Sequence, residues 1–156
     1  MLAVVADTSP IRYPVEIRHI GVLPQLFGKI FIPAFAPAAV RAWANSPPGW
    51  LKVSPVTASD DPAFQSLDEG EKAALTLAGT LHADLILIDD RNGAAAARRK
   101  GFEITGTLGL LTRAAQRGLI DLTDAVARLR GTNSHFREEL LDDLLKKYAG
   151  RGQEEG

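Results

Sequence analysis

Short runs of consecutive apolar residues alternate along this chain with longer stretches in which apolar positions return every three or four residues. The first run, Leu2 to Ala6, stops abruptly at Asp7-Thr8-Ser9-Pro10. That predicts a strand buried on both faces, followed by a helix with proline near its start. Apolar residues then recur at Ile17, Ile20, Leu23 and Leu26 up to Gly28, which suits one helix or two short ones, broken or kinked at Pro14 and Pro24. Lys29 to Pro33 reads as a second strand. Ala34 to Asn45 is alanine-rich and reads as a helix despite Pro37, running into the loop Asn45-Ser46-Pro47-Pro48-Gly49. Leu51 to Val56 fits an edge strand, because Pro55 has no N–H for a central ladder.

The second half is more regular. Glu69 to His82 predicts a helix, Ala83 to Ile88 a buried strand, and Asn92 to Lys100 an alanine- and arginine-rich helix stopped by Gly101. Phe102 to Thr105 reads as a strand and Leu108 to Arg117 as a helix stopped by Gly118. Two more helices follow, Asp121 to Arg130 with Asp121 as its cap, and Phe136 to Tyr148. Residues 150–156 are polar and are expected to form a flexible tail. Buried strands alternating with helices predict an α/β sandwich around a mainly parallel sheet.

Length places this pattern in a single domain over residues 1–149, since 156 residues match the roughly 150 of one domain. No apolar run approaches the roughly 18 residues of a membrane helix. The N-terminus lacks a basic segment before its apolar one, so it does not read as a secretion signal. The absence of cysteine excludes disulfides, thiolate zinc sites and a thiol nucleophile, and it suits a reducing, cytoplasmic location. Net charge is −1, but residues 1–59 hold five basic side chains against Asp7 and Glu16, a net of +3 that leaves −4 for the remainder. The chain as a whole is therefore no electrostatic magnet for nucleic acid, and binding would need a local basic patch.

Candidate chemistry gathers where strands end. In an open parallel sheet, ligands bind beyond the carboxyl ends of the strands. Asp7 closes the first strand and Asp89-Asp90 closes another. Each acid can equally be read as the cap of the helix that follows. Glu71 discriminates: the apolar stripe Ala74, Leu77, Ala78, Leu81 extends back by three residues to Glu71, so the core-facing stripe begins with a carboxylate. Asp68 and Glu69 fall off that line and read as solvated helix-start charges. Acids from three separate elements, aimed at one end of one sheet, suit a hard cation such as Mg²⁺ or Mn²⁺ serving a phosphate substrate.

These residues carry a resemblance. Asp7-Thr8-Ser9-Pro10-Ile11, Leu23 to Gly28, Leu67-Asp68-Glu69-Gly70-Glu71, Leu87-Ile88-Asp89-Asp90-Arg91 and Ile104-Thr105-Gly106-Thr107-Leu108 resemble, in order and spacing, the PIN-domain proteins. The closer similarity is to small PIN-like proteins related to the ribonucleases of toxin–antitoxin modules. The resemblance implies a three-layer α/β/α fold, cleavage of RNA with a divalent metal, a homodimer, and a small antitoxin protein as partner. It implies catalytic roles for Asp7, Glu71 and Asp90, a metal set of those three with Asp89, and support from Thr8, Ser9 and Thr107. One departure stands out. The family's glutamate from the helix after the second strand has no counterpart, because no Asp or Glu occurs between Glu16 and Asp60. A metal held by the remaining acids is expected to bind weakly, which leaves open a PIN-like domain that acts by binding RNA or protein.

The remaining features carry less. Arg91, Arg98, Arg99 and Lys100 could meet an RNA backbone, or could simply be a solvated helix face. Tyr13, Val15, Trp43 and Trp50 lie in segments that read as near the surface and suit a dimer contact. Gly106 to Gly109 lacks the third glycine of a dinucleotide loop, and His19, His82 and His135 are too scattered for a zinc site.

Overall fold

The computed structural model describes residues 2–34, 46–57, 59–134 and 136–155. They form two compact units, residues 1–107 and 108–156. The first is built on a five-stranded sheet of β1 (Val4–Ala6), β2 (Ile30–Pro33), β3 (Leu51–Ser54), β4 (Leu85–Leu87) and β5 (Ile104–Thr105). The strand order is β3-β2-β1-β4-β5 and every pairing is parallel. Val4 sits in register with Ile30 and Leu85, and Val5 with Phe31 and Ile86.

Because strand side chains alternate, this register sorts the apolar residues onto two faces. Val5, Ile86 and Ile88 share a core with Leu75, Ala78, Ala94 and Ala97, from α3 (Glu69–Thr80) and α4 (Arg91–Arg99). Val4, Ala6, Ile30 and Leu87 are buried on the other face. The crossover from β1 to β2 moves toward one edge of the sheet, and those from β3 to β5 move toward the other. Right-handed crossovers therefore put α1 (Ser9–Glu16) and α2 (Val22–Phe27) opposite α3 and α4. Ile11, Tyr13, Ile17, Leu23 and Phe27 of that layer are buried. The result is the expected three-layer α/β/α architecture around a parallel sheet.

The second unit comprises α5 (which begins at Thr107 and runs to Gln116), α6 (Leu122–Arg130) and α7 (Glu138–Glu155). Leu110, Leu111, Leu122, Val126, Leu129 and Leu141 are buried. Asp121 caps α6 through the Asp124 N–H, as the sequence predicts. Arg130 bridges Glu138 and Asp142, and the Tyr148 hydroxyl donates to the Ala115 carbonyl at 3.2 Å.

Several boundaries differ from the pattern. The strands are shorter than their apolar runs, because flanking residues such as Ala83 and Phe102 pack on the core without pairing. Pro14 does not break α1: it lies in the last turn, removing one N–H just before the helix ends at Glu16. Pro24 lies in the first turn of α2, where the N–H has no helical partner anyway. The chain turns between these helices at Arg18, which adopts a φ of 61°. The helix α7 runs to Glu155, past Tyr148 where the apolar pattern ends. Tyr13 is only 2% exposed, so it belongs to the core beneath α1 and not to the surface expected of it. The helix expected over Ala34 to Asn45 lies, apart from Ala34, outside the described residues, as does Trp43.

Candidate active site

Four carboxylates come from the positions where the sheet hands the chain to its helices. Asp7 follows β1 directly, and its N–H donates to the Leu87 carbonyl at 2.9 Å, tying the ends of β1 and β4 together. It does not cap α1. Thr8 is the N-cap residue there and makes no side-chain cap bond, while its N–H supports the Asp7 carboxylate. Burial pushes Asp7 up to about 6, partly offset by that bond, with the charges of Asp68, Asp89 and Asp90 adding to the rise. Ser9 opens α1 beside it.

Glu71 lies in the first turn of α3 and is 8% exposed. Burial pushes it up to about 8, and a hydrogen bond to Asp68, together with the charges of Asp68, Asp90 and Asp7, pushes the same way. Glu71 therefore carries its proton at neutral pH in the metal-free protein. Asp90 is the N-cap of α4, its Oδ2 accepting from the Gly93 N–H at 2.9 Å. Glycine at 93 leaves room there for Ile88 and Glu71. A Cβ would stand 2.5 Å from Ile88 Cδ1 and 3.4 Å from Glu71 Oε2.

Asp89 is held differently. Both its oxygens accept from the fully buried Thr107, Oδ1 from the N–H and Oδ2 from the hydroxyl, each at 2.6 Å. Burial raises the Asp89 carboxyl, while the two bonds from Thr107 and the nearby Arg12 guanidinium pull it back. Gly106 permits the clamp, because a Cβ there would stand 2.7 Å from Asp89 Oδ1. Thr107 is thus the partner of Asp89, and each Asp89 oxygen keeps a further lone pair beyond that grip.

A family model, DUF3368: PIN domain, matches residues 3–149. The chain belongs to this PIN-domain family. No curated protein matches the chain. PIN domains have a nuclease-type fold and generally use a divalent metal, so the carboxyl end of this sheet is where a PIN domain would carry its chemistry.

The donor set suits such a metal chemically. It is all carboxylate oxygen, and among the described residues every charge that shifts Asp7 and Glu71 is another carboxylate, so a cation would relieve a repulsion that none of them relieves. The arrangement is not a ready-made cage. Among the described residues, no three Asp, Glu, His or Cys side chains are grouped closely enough to hold an ion.

Two residues escape a reading by periodicity. Asp68 is not a loose solvated charge: its Oδ1 accepts from the Glu71 N–H at 2.8 Å as the N-cap of α3, and its charge is the largest of those that raise Glu71 and Asp7. The spacing of an Asp three residues before a Glu, ahead of an apolar stripe, is a capping-box signal that could have found it. Among the described residues, Arg12, one turn into α1, is the only cation whose charge registers on Asp7, Glu71 or Asp89. Of the basic run, Arg91 is exposed and opens α4 directly after Asp90. Arg98 and Arg99 are exposed in the last turn of α4, the end away from Asp90, and Lys100 is paired with Asp61 at 2.6 Å.

Proposed function

We propose that this PIN domain is a metal-dependent ribonuclease, the toxin-like member of a toxin–antitoxin module, working in the cytoplasm with a small antitoxin protein as partner. Asp7, Glu71 and Asp90 form its catalytic set. The observation that carries this reading is the gathering of Asp7 and Glu71, raised to about 6 and about 8, with the capping Asp90 at one end of the sheet. Unrelieved buried carboxylates cost stability, and a cation supplied from solution offsets that cost.

Asp7, Asp90 and Glu71 would hold Mg²⁺ or Mn²⁺, with waters completing a shell that lacks the helix glutamate. The chemistry such an ion supplies is a more acidic bound water and neutralisation of charge at the scissile phosphate. The chain's own part is to release protons from Asp7 and Glu71, since only ionised carboxylates bind the metal. Asp89, held by both bonds from Thr107, stands beside that set and would assist it. Thr8 supports Asp7 through its backbone N–H.

A second reading is a PIN domain that binds RNA or protein without cutting. It is favoured by the absence of Asp or Glu between Glu16 and Asp60 and by the open grouping of the acids. An RNA cleavage assay with and without Mn²⁺, on wild type and Asp7→Asn, separates the two. Cleavage that needs Mn²⁺ and disappears in Asp7→Asn supports the nuclease. RNA left intact by wild type at millimolar Mn²⁺ supports the binding reading. Homodimerisation is part of the proposal, and sedimentation yielding only a 16.8 kDa species at tens of micromolar would remove it.

A further inference from the structure

An acidic site that acts on RNA must still attract a polyanion. Asp7, Asp68, Glu71, Asp89 and Asp90 stand around the carboxyl end of the sheet, and a bound divalent ion offsets only two of their charges. Some fixed cation at the rim has to meet the phosphates. Arg91 is exposed at the start of α4, but its charge does not register on Asp7, Glu71 or Asp89, and the arginines at the far end of α4 are poorly placed for this. A nine-residue helix spans about 13 Å, so Arg98 and Arg99 stand that far from its start at Asp90. Lys100 is engaged by Asp61 and lies over the Phe64 ring at 5.6 Å.

Arg12 is placed differently. Its N–H donates to the Thr8 carbonyl at 2.9 Å, which sets it one helical turn from Asp7. The guanidinium lies over the Tyr13 ring at 4.6 Å, which limits its rotation, and its charge reaches Asp89. Its Nε is buried and makes no hydrogen bond, and its ion pair with Glu16 is long, at 3.6 Å, between half-exposed side chains. Pairs of that kind contribute little, so the guanidinium can exchange partners readily.

We propose that Arg12 binds a backbone phosphate of the RNA strand entering the acidic site, a positioning role that rests on the ribonuclease reading. The planar guanidinium suits two phosphate oxygens at once, and its contact with the Tyr13 ring holds it on α1 when no RNA is bound.

The test is salt dependence. Binding of a fluorescein-labelled single-stranded RNA of mixed sequence is followed by anisotropy over a series of salt concentrations, with EDTA present so that the strand stays whole. Losing one phosphate contact flattens the slope of log K against log salt by about 0.7. Arg12→Gln should show that flattening and weaker binding, while Arg12→Lys, which keeps the charge, should restore most of the slope. Glu16→Gln, which frees the guanidinium, should bind at least as tightly as wild type. Arg98→Gln, at the far end of α4, should keep the wild-type slope. Equal slopes for wild type and for an Arg12→Gln protein of unchanged circular dichroism would overturn the assignment. So would flattening in Arg98→Gln alone, which would put the strand along α4. Wild type that binds no RNA at any salt would overturn the RNA reading itself, a different result from equal slopes.

Discussion

Replacing Asp7 by Asn should stabilise the metal-free protein by an amount that depends on pH. Burial carries the Asp7 carboxyl from its ordinary 3.8 to about 6 in the fold, with neighbouring acids contributing. A carboxyl raised by folding holds its proton better in the native state. Its contribution to stability is therefore complete below pH 3.8 and is lost as pH rises through about 6. At about 1.4 kcal/mol per pH unit, the gap between 3.8 and about 6 amounts to about 3 kcal/mol at neutral pH. Asn has the same shape, carries no charge, and keeps a carbonyl to accept from the Thr8 N–H. We expect it to recover about 2 kcal/mol, or roughly 4–8 °C in Tm for a chain of this size. The assay is thermal or urea unfolding by circular dichroism in EDTA, at neutral pH and at about pH 4. The two proteins should differ at neutral pH and converge in acid. Added Mn²⁺ should then raise the Tm of wild type alone. Asp7→Asn less stable than wild type at both pH values would refute the reasoning, because it would make Asp7 a structural group and not a strained one.

Three further outcomes follow from the same geometry. Thr107→Val keeps the volume but removes the 2.6 Å hydroxyl bond to Asp89, and should lower stability at neutral pH by about 2 kcal/mol in urea unfolding; an unmoved midpoint would mean that the N–H alone holds Asp89. Asp68→Asn keeps the α3 cap and Asp68→Ala loses it, so only the alanine variant should lose about 1 kcal/mol of cap energy. Both should lower the Glu71 carboxyl from about 8, read by its side-chain carbon shift in NMR; an unchanged titration would exclude Asp68 as the cause. If RNA is cleaved, Mn²⁺ should support half-maximal rate at a lower concentration than Mg²⁺, and equal requirements would argue against direct carboxylate ligation.

The sheet was readable because its central strands are apolar on both faces, as Val4-Val5-Ala6 and Leu85-Ile86-Leu87 are. Glu71 was readable because it heads a stripe of core residues. Asp68 was missed because periodicity asks which side of a helix meets the core, and a capping acid is fixed by helix-end geometry instead. The grip of Thr107 on Asp89 spans 18 residues and depends on β5 pairing with β4, so no local pattern contains it. The alternative reading of the strand-end acids as caps divides between them: it holds for Asp90 and fails for Asp7. The burial of Tyr13 was within reach, since Pro10, Tyr13, Pro14 and Ile17 lie three and four apart along one side of α1 and just past its end.

The two borders of the sheet limit how the chain can aggregate or assemble. Unpaired strand borders invite another chain to add itself by main-chain bonding, and short borders with lysine or proline discourage it. One border here, β5, is two residues long. The other, β3, has four residues, carries exposed Lys52, and is followed at once by Pro55. Neither offers a template on which a continuous intermolecular sheet could grow. Among the described residues, the surfaces open to another molecule are therefore side chains of helices and loops, not strand borders.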